Sequence, residues 1–392
     1  MRRPVVSLSR TSSTGAPGGR GWRRLFDRLP VGRLAGFPVH LSPSWLLLAA
    51  ALVIGYGRLL RRDGPAPVSY LLAAVLVGCL LVSVLLHELG HALTCRHYGI
   101  GVRAVTLEML GGYTEMDHDP PTPRIEAAVS LAGPAVSLVL GLLAAGAVAV
   151  VPGHTIGHQL AFQIAASNLL IAVFNILPGL PLDGGRALLA LVWWRTGDPY
   201  RGSHIAGWVG RGLALACLAA AVLLGTRGGP VLVAAVAVVL VAVGVAQGAG
   251  QAVRLGRLGA RLPLLDVAAL ARPIFRVPSG TVLAEAHRRA DAAGATSAAL
   301  GIADETGELV AVVDATADAA VPAGRRASVP VDEVARGLDG RVLSARLRGL
   351  EVLEAVRADP TGDYLVASGE DVVGVLRGVD VANLLTSRET AR

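Results

Sequence analysis

Six apolar runs, each about 20 residues or longer, constrain this chain more than any other feature of its sequence. They cover positions 41–60, 70–98, 125–151, 158–177, 204–224 and 230–251. A helix rises about 1.5 Å per residue, so about 20 apolar residues cross the hydrocarbon core of a bilayer. Composition agrees: 53% of the 392 residues are hydrophobic and 17% are charged, against about 25% charged in ordinary soluble domains. The pattern predicts a polytopic α-helical membrane protein with a soluble part attached. The fourth run stops at Pro178 and Pro181, and the apolar piece at 187–194 is too short to cross alone. It predicts a re-entrant or interfacial helix.

Six crossings put both termini on one side, and arginine placement picks the side. Arg20, Arg23, Arg24, Arg28 and Arg33 precede the first run, and Arg254, Arg257 and Arg261 follow the last. Arg103, Arg124, Arg186, Arg195 and Arg201 fall in loops on the same face, with Arg61 and Arg62 opposing them. The positive-inside rule predicts cytoplasmic termini in a multi-pass protein of the cell membrane. The net charge of +7 is spread along the chain. No basic stripe is interleaved with aromatics, so nucleic acid is not an expected partner. Cys79, Cys95 and Cys217 all lie in apolar runs, which predicts packing roles and no disulfide framework.

Composition divides the chain. Residues 1–34 read as a disordered basic tail and 35–252 as the membrane domain. Residues 253–271 read as a linker, with Pro263 inside it, and 272–388 as a soluble α/β tandem. Between the second and third runs, "GIGVRAVTLEMLGGYTEMD" predicts a small membrane-associated β-hairpin. Its first strand, 102–109, is either a surface hairpin or an edge that pairs with an unwound substrate.

Inside the second run stands "HELGH". Ionisable groups at bilayer depth cost about 2.5–3.5 kcal/mol each on insertion scales, and they persist where they do chemistry. His87 and His91 are at i and i+4, so both imidazoles share one helix face and can reach one metal ion. Glu88 lies off that axis, placed to act as general base on the attacking water rather than as a ligand. A third ligand has to come from elsewhere. Between Glu126 and Asp266 the only carboxylates are Asp183 and Asp198. Asp198 sits beside Arg195 and Arg201, a setting for a solvated or salt-bridged aspartate. Asp183 lies in "NILPGLPLDGGRALL", where prolines break the fourth run and Gly184-Gly185 allows close turning. It is the expected ligand, with a helix-capping role as the alternative. His154, His158 and His204 are weaker candidates.

"HELGH" followed by "FNILPGLPLDGG", together with "GFPVHLSPSW", "LGGYTEM" and "LAGPAVSL", resembles the site-2 protease family of intramembrane zinc metalloproteases. The likeness covers about positions 36–186. It implies one catalytic zinc ion held by His87, His91 and Asp183, with Glu88 as base. It also implies that Asn175 orients substrate or the developing oxyanion; the alternative is that Asn175 satisfies backbone freed by Pro178. No insert of PDZ size is present. Substrates implied are membrane-spanning or membrane-associated proteins, such as anti-sigma factors or transcription-factor precursors, cleaved in regulated intramembrane proteolysis.

In the C-terminal part, positions 282–321 echo 350–385, each reading helix, strand, polar turn, strand, helix. This repeat resembles a CBS-domain pair. The second copy carries the likeness best, in "EDVVGVLRGVDVANLL", with Asp380 at the position that implies ribose contact in an adenine nucleotide. The first copy departs from it, with Ala311 where the second has Gly374 and Asp318 shifted by one. A homodimerisation or docking surface is the alternative role. Two other functions compete: a metal-binding transporter gated by the C-terminal pair, and an inactive scaffold that binds client helices.

Overall fold

A computed structural model describes residues 28–61, 65–109, 111–153, 155–226, 231–337, 341–369 and 371–386. The chain divides into two compact units, 1–257 and 258–392.

The described part of the first unit opens on strands. β1 (Leu29–Leu34) turns back through β2 (Phe37–Leu41), so the expected disorder of 1–34 does not extend through its last six positions; positions 1–27 lie outside the described residues. Six of the seven helices that follow meet the length and apolarity of a membrane span. They are α1 (Pro43–Leu60), α2 (Ala66–His97), α3 (Pro123–Val150), α4 (Ile156–Ile176), α6 (Pro199–Gly225) and α7 (Val231–Arg261). The seventh, α5 (Asp183–Thr196), has 14 residues and a length of about 21 Å, too short to cross. It follows the proline break, as expected.

Local chemistry starts these helices. Ser42, Thr122 and Thr155 accept from Ser44, Ile125 and His158 amides, and Pro43, Pro123 and Pro199 sit in first turns. Asp198 is part-exposed and forms no salt bridge among the described residues. Its Oδ1 caps α6, accepting from the amides of Tyr200 at 2.8 Å and Arg201 at 3.3 Å. Helix α7 outruns its apolar run because no proline intervenes before Pro263.

Burial in this unit is inverted relative to a water-soluble core. Leu47, Leu71, Leu143, Leu170 and Leu223 point outward, whereas Ser83, Ser130, Ser137 and Asn168 are buried with Ala92, Ala172 and Ala206. Leucines face lipid, and small or polar residues let helices approach.

β3 (Val102–Glu108) and β4 (Gly111–Met116) form the expected hairpin, but within a larger four-stranded sheet ordered β1-β2-β3-β4. β2 pairs with β3 in parallel, Val39 opposite Val105. The strand 102–109 therefore has neighbours on both sides and is not a free edge; the edge strand beside it is β4. Phe37 and Val105 pack with Ala92 of α2, and Leu107 packs with Trp45 and Val77. This fixes the sheet against the helix that carries HELGH.

The second unit contains two modules of one plan: strand, helix, strand, strand, helix. The first holds β5 (Ile274–Pro278), α9 (Leu283–Ala292), β6 (Ala299–Ala303), β7 (Leu309–Val313) and α10 (Ala315–Ala320). A short α8 (Val267–Leu270) precedes it and β8 (Ala335–Gly337) completes its sheet, ordered β5-β6-β7-β8. The second holds β9 (Val342–Ser344), α11 (Leu350–Val356), β10 (Asp363–Ser368), β11 (Asp371–Arg377) and α12 (Gly378–Thr386), with sheet order β11-β10-β9. In both modules the first two strands are parallel and the third antiparallel. The repeat at 282–321 and 350–385 is thus a structural repeat. The expected linker 253–271 is not one: Leu265 and Val267 are fully buried in the core that holds Val352, Val366 and Leu376.

Candidate metal centre

Helical spacing puts His87 and His91 on one face of α2, where both are buried, as is Glu88. Their Nε2 atoms lie 3.3 Å apart. The carboxylate of Asp183 arrives from α5, its Oδ2 lying 3.1 Å from His87 Nε2 and 3.4 Å from His91 Nε2. The capping alternative for Asp183 fails. It is the first residue of α5, the N-cap is Leu182, and no side chain caps that helix. The break brings it there. Gly184 packs so closely on the end of α4 that an added Cβ would lie 2.1 Å from the Ile176 carbonyl oxygen.

The far sides of both rings are held by α3. His91 Nδ1 is 2.7 Å from the Val129 carbonyl oxygen. That oxygen only accepts, so Nδ1 carries the proton and the neutral ring turns its Nε2 lone pair inward. His87 Nδ1 is 2.9 Å from Ser137 Oγ. Two imidazole nitrogens and one carboxylate oxygen thus converge, the donor set that would hold a catalytic zinc ion. Space is kept for it by Gly133, where a Cβ would lie 2.3 Å from His91 Nε2 and 2.6 Å from His87 Nε2. The residues present fit the ion.

Glu88 belongs to the same group: its ligand-type atoms and those of His87 and His91 lie within 4.8 Å of one another. Thr114 of β4 donates from Oγ1 to Glu88 Oε2 at 3.0 Å. That bond ties the carboxylate to the edge strand.

Other expected residues lie differently. Asn175 donates from Nδ2 to the Ile171 carbonyl at 3.1 Å, one turn back in its own helix. The carbonyl that Pro178 deprives of a donor is that of Phe174, and the Leu177 amide serves it instead. Asn175 thus does not serve the backbone freed by Pro178. His158 bonds to the Val151 carbonyl and His204 packs edge-on to Trp208, both away from the cluster; His154 lies outside the described residues. Asp380 is engaged by Arg272 at 3.0 Å and Asp318 by His287 at 3.1 Å. The cysteines are unbridged. Sequence reasoning missed Val129, Gly133, Ser137 and Thr114 as parts of the site. A signal for α3 was present, since Ser130, Gly133 and Ser137 recur at helical spacing in an otherwise apolar run.

A buried His-Glu-His set on one long apolar helix, joined by an aspartate from a broken one, defines a zinc metalloprotease embedded among membrane spans. The profile of peptidase family M50 matches residues 75–167 and 156–219. Rip3 of Mycobacterium tuberculosis, named as a zinc metalloprotease, is 32% identical over 376 residues, covering 92% of this chain and 93% of its own. The solved site-2 protease from Methanocaldococcus jannaschii is similar at 28% identity and a TM-score of 0.44, over 58% of this chain and 95% of that one. The CBS domain of a bacterial CNNM/CorC family Mg2+ transporter is similar at 11% identity and a TM-score of 0.27, over 34% of this chain and 85% of that one. The chain belongs to peptidase family M50, the site-2 proteases, and is a multi-pass membrane metalloprotease. The transporter and inactive-scaffold readings are set aside.

Proposed function

We propose that the protein hydrolyses peptide bonds of membrane-spanning or membrane-associated proteins, as the proteolytic step of a regulatory pathway that releases a transcriptional regulator. Anti-sigma factors and precursors of transcription factors are the substrate classes. One observation carries the reading: the His87, His91 and Asp183 cluster, with Glu88 beside it, is buried among helices long enough to span a bilayer.

A zinc ion held by His87, His91 and Asp183 supplies Lewis acidity to the scissile carbonyl and acidifies water. Glu88 takes the proton of the attacking water on its carboxylate and returns it to the leaving amine nitrogen. Thr114 fixes that carboxylate through Oε2. The Val129 carbonyl and Ser137 hydroxyl keep both imidazoles in the orientation that presents Nε2. A substrate helix hides its carbonyls in its own hydrogen bonds and has to unwind before attack. β4, the edge strand whose Thr114 touches Glu88, is where an unwound segment can add as a further strand.

The arginines flanking both ends of the membrane unit support cytoplasmic termini in the cell membrane. The C-terminal repeat serves as a homodimerisation or docking surface, with an adenine nucleotide as its alternative ligand. The decisive experiment is cleavage of a single-span client by purified full-length protein, wild type against Glu88→Gln. Turnover should collapse while zinc content stays at the wild-type level. Retained turnover removes Glu88 from its role.

A further inference from the structure

Arg186 Nε lies 2.7 Å from Glu126 Oε1, and its Nη2 lies 3.3 Å from Oε2, a two-pronged ion pair. The Glu126 side chain is 6% exposed and that of Arg186 34%, so the carboxylate is the buried partner of a part-buried pair. Asp119, in the loop before α3, also faces Arg186; burial raises its carboxyl pKa and the guanidinium opposes that rise. None of these charges enters the chemistry above. Nor is burying a carboxylate in such a pair an efficient way to hold helices together, since well-packed apolar residues commonly do as well.

The position of the pair is more telling than its existence. Glu126, Ser130, Gly133 and Ser137 fall at i, i+4, i+7 and i+11, one face of α3, and all are buried. That face bonds His87 through Ser137 and gives both Nε2 atoms their space at Gly133. The Val129 carbonyl, which holds His91, is three residues from Glu126. On the other side, Arg186 is three residues after Asp183, so both project from neighbouring points of α5. The ion pair therefore ties the helix that fixes both imidazoles to the helix that brings the carboxylate. A guanidinium fork on two carboxylate oxygens sets rotation as well as distance, which a single bond does not.

We propose that Glu126 and Arg186 are positioning residues of the metal centre, holding Asp183 in register with His87 and His91 and so setting zinc affinity. The inference rests on the zinc reading above. It is tested by zinc affinity of purified full-length protein, measured by chelator competition, for wild type, Glu126→Gln and Arg186→Lys. Thermal midpoints of the zinc-free proteins are recorded alongside. Glu126→Gln removes the charge, and Arg186→Lys keeps the charge but loses the fork. Each should bind zinc about 10–100-fold more weakly. The absorption bands of the Co2+-loaded form should shift in both.

A purely structural pair would move the thermal midpoint and leave affinity and Co2+ bands alone. Glu126→Gln that binds zinc within about twofold of wild type overturns the inference, because an effect of that size is below the range seen for residues behind metal ligands. If Glu126→Gln does not fold, Arg186→Lys decides by the same criterion. Wild-type protein that binds no zinc overturns the zinc reading itself, a result distinct from wild type and variants binding alike.

Discussion

Asp183 Oδ2 lies 3.1 Å from His87 Nε2, across 96 residues of chain. The same oxygen lies 3.4 Å from His91 Nε2, so one carboxylate faces both rings. Asp183→Asn substitutes a neutral, weaker oxygen donor at the same position. The variant should lose zinc on dialysis against a chelator that leaves wild type loaded, as read by elemental analysis. Unchanged zinc per chain would place the third ligand elsewhere.

Gly133 sets the clearance on the other side. A methyl group there would sit 2.3 Å from His91 Nε2, so the rings or α3 would have to move. Displacement of about 1 Å at a reacting centre can cost about 100-fold in rate. Gly133→Ala should lower kcat/KM by at least that order and weaken zinc retention. Gly146→Ala, in the same helix with nothing within 4 Å of the added carbon, should behave as wild type. Equal activity of the two variants would mean that Gly133 does not guard the site.

The site was partly written in the sequence and partly not, for reasons of distance. The i, i+4 histidines declared themselves because helical geometry is local. Asp183 could be reached by elimination, since carboxylates are scarce between Glu126 and Asp266. Its alternative as a cap could not be dismissed until α5 was seen to begin at Asp183 itself. Val129 acts through its backbone, which no side-chain pattern reports. β1 was misread as tail because Leu29–Leu34 is short and interrupted by Pro30 and Gly32, and it exists only by pairing with β2. The sequence leaves strand 102–109 as either a surface hairpin or an edge, because its parallel partner β2 lies about 60 residues earlier, on the far side of two helices.

Ser137 and Thr114 should divide metal binding from chemistry. Ser137→Ala removes the partner of His87 Nδ1 and should weaken zinc binding about 10–100-fold. Thr114→Val removes the hydroxyl that bonds Glu88 Oε2. A hydrogen bond to a charged group is worth about 1.5–3 kcal/mol, so kcat should fall about tenfold or more with zinc content unchanged. Chelator titration and single-turnover cleavage of the same preparations separate the two effects. The opposite pattern would exchange the roles assigned to α3 and β4.

In the second unit, Asp332 accepts from the Gly280 amide and from Ser279 Oγ, each at 2.7 Å. These bonds hold its carboxyl below the ordinary aspartate value of about 3.9. A pKa lowered on folding adds stability that is present above the unfolded value and is lost as pH falls through the folded one. Amide exchange at Gly280 should therefore lose protection as pH falls below about 4 in wild type. Asp332→Asn should remove that acid dependence. Identical pH profiles for the two proteins would show that Asp332 does not anchor this loop.

The central claim is that His87, His91 and Asp183 jointly bind one zinc ion, and X-ray absorption of the zinc-loaded full-length protein reads that coordination directly. The account predicts a nitrogen and oxygen shell at about 2.0–2.2 Å, with outer scattering from two imidazoles. A sulfur shell at about 2.3 Å, or scattering from fewer than two imidazoles, would contradict it.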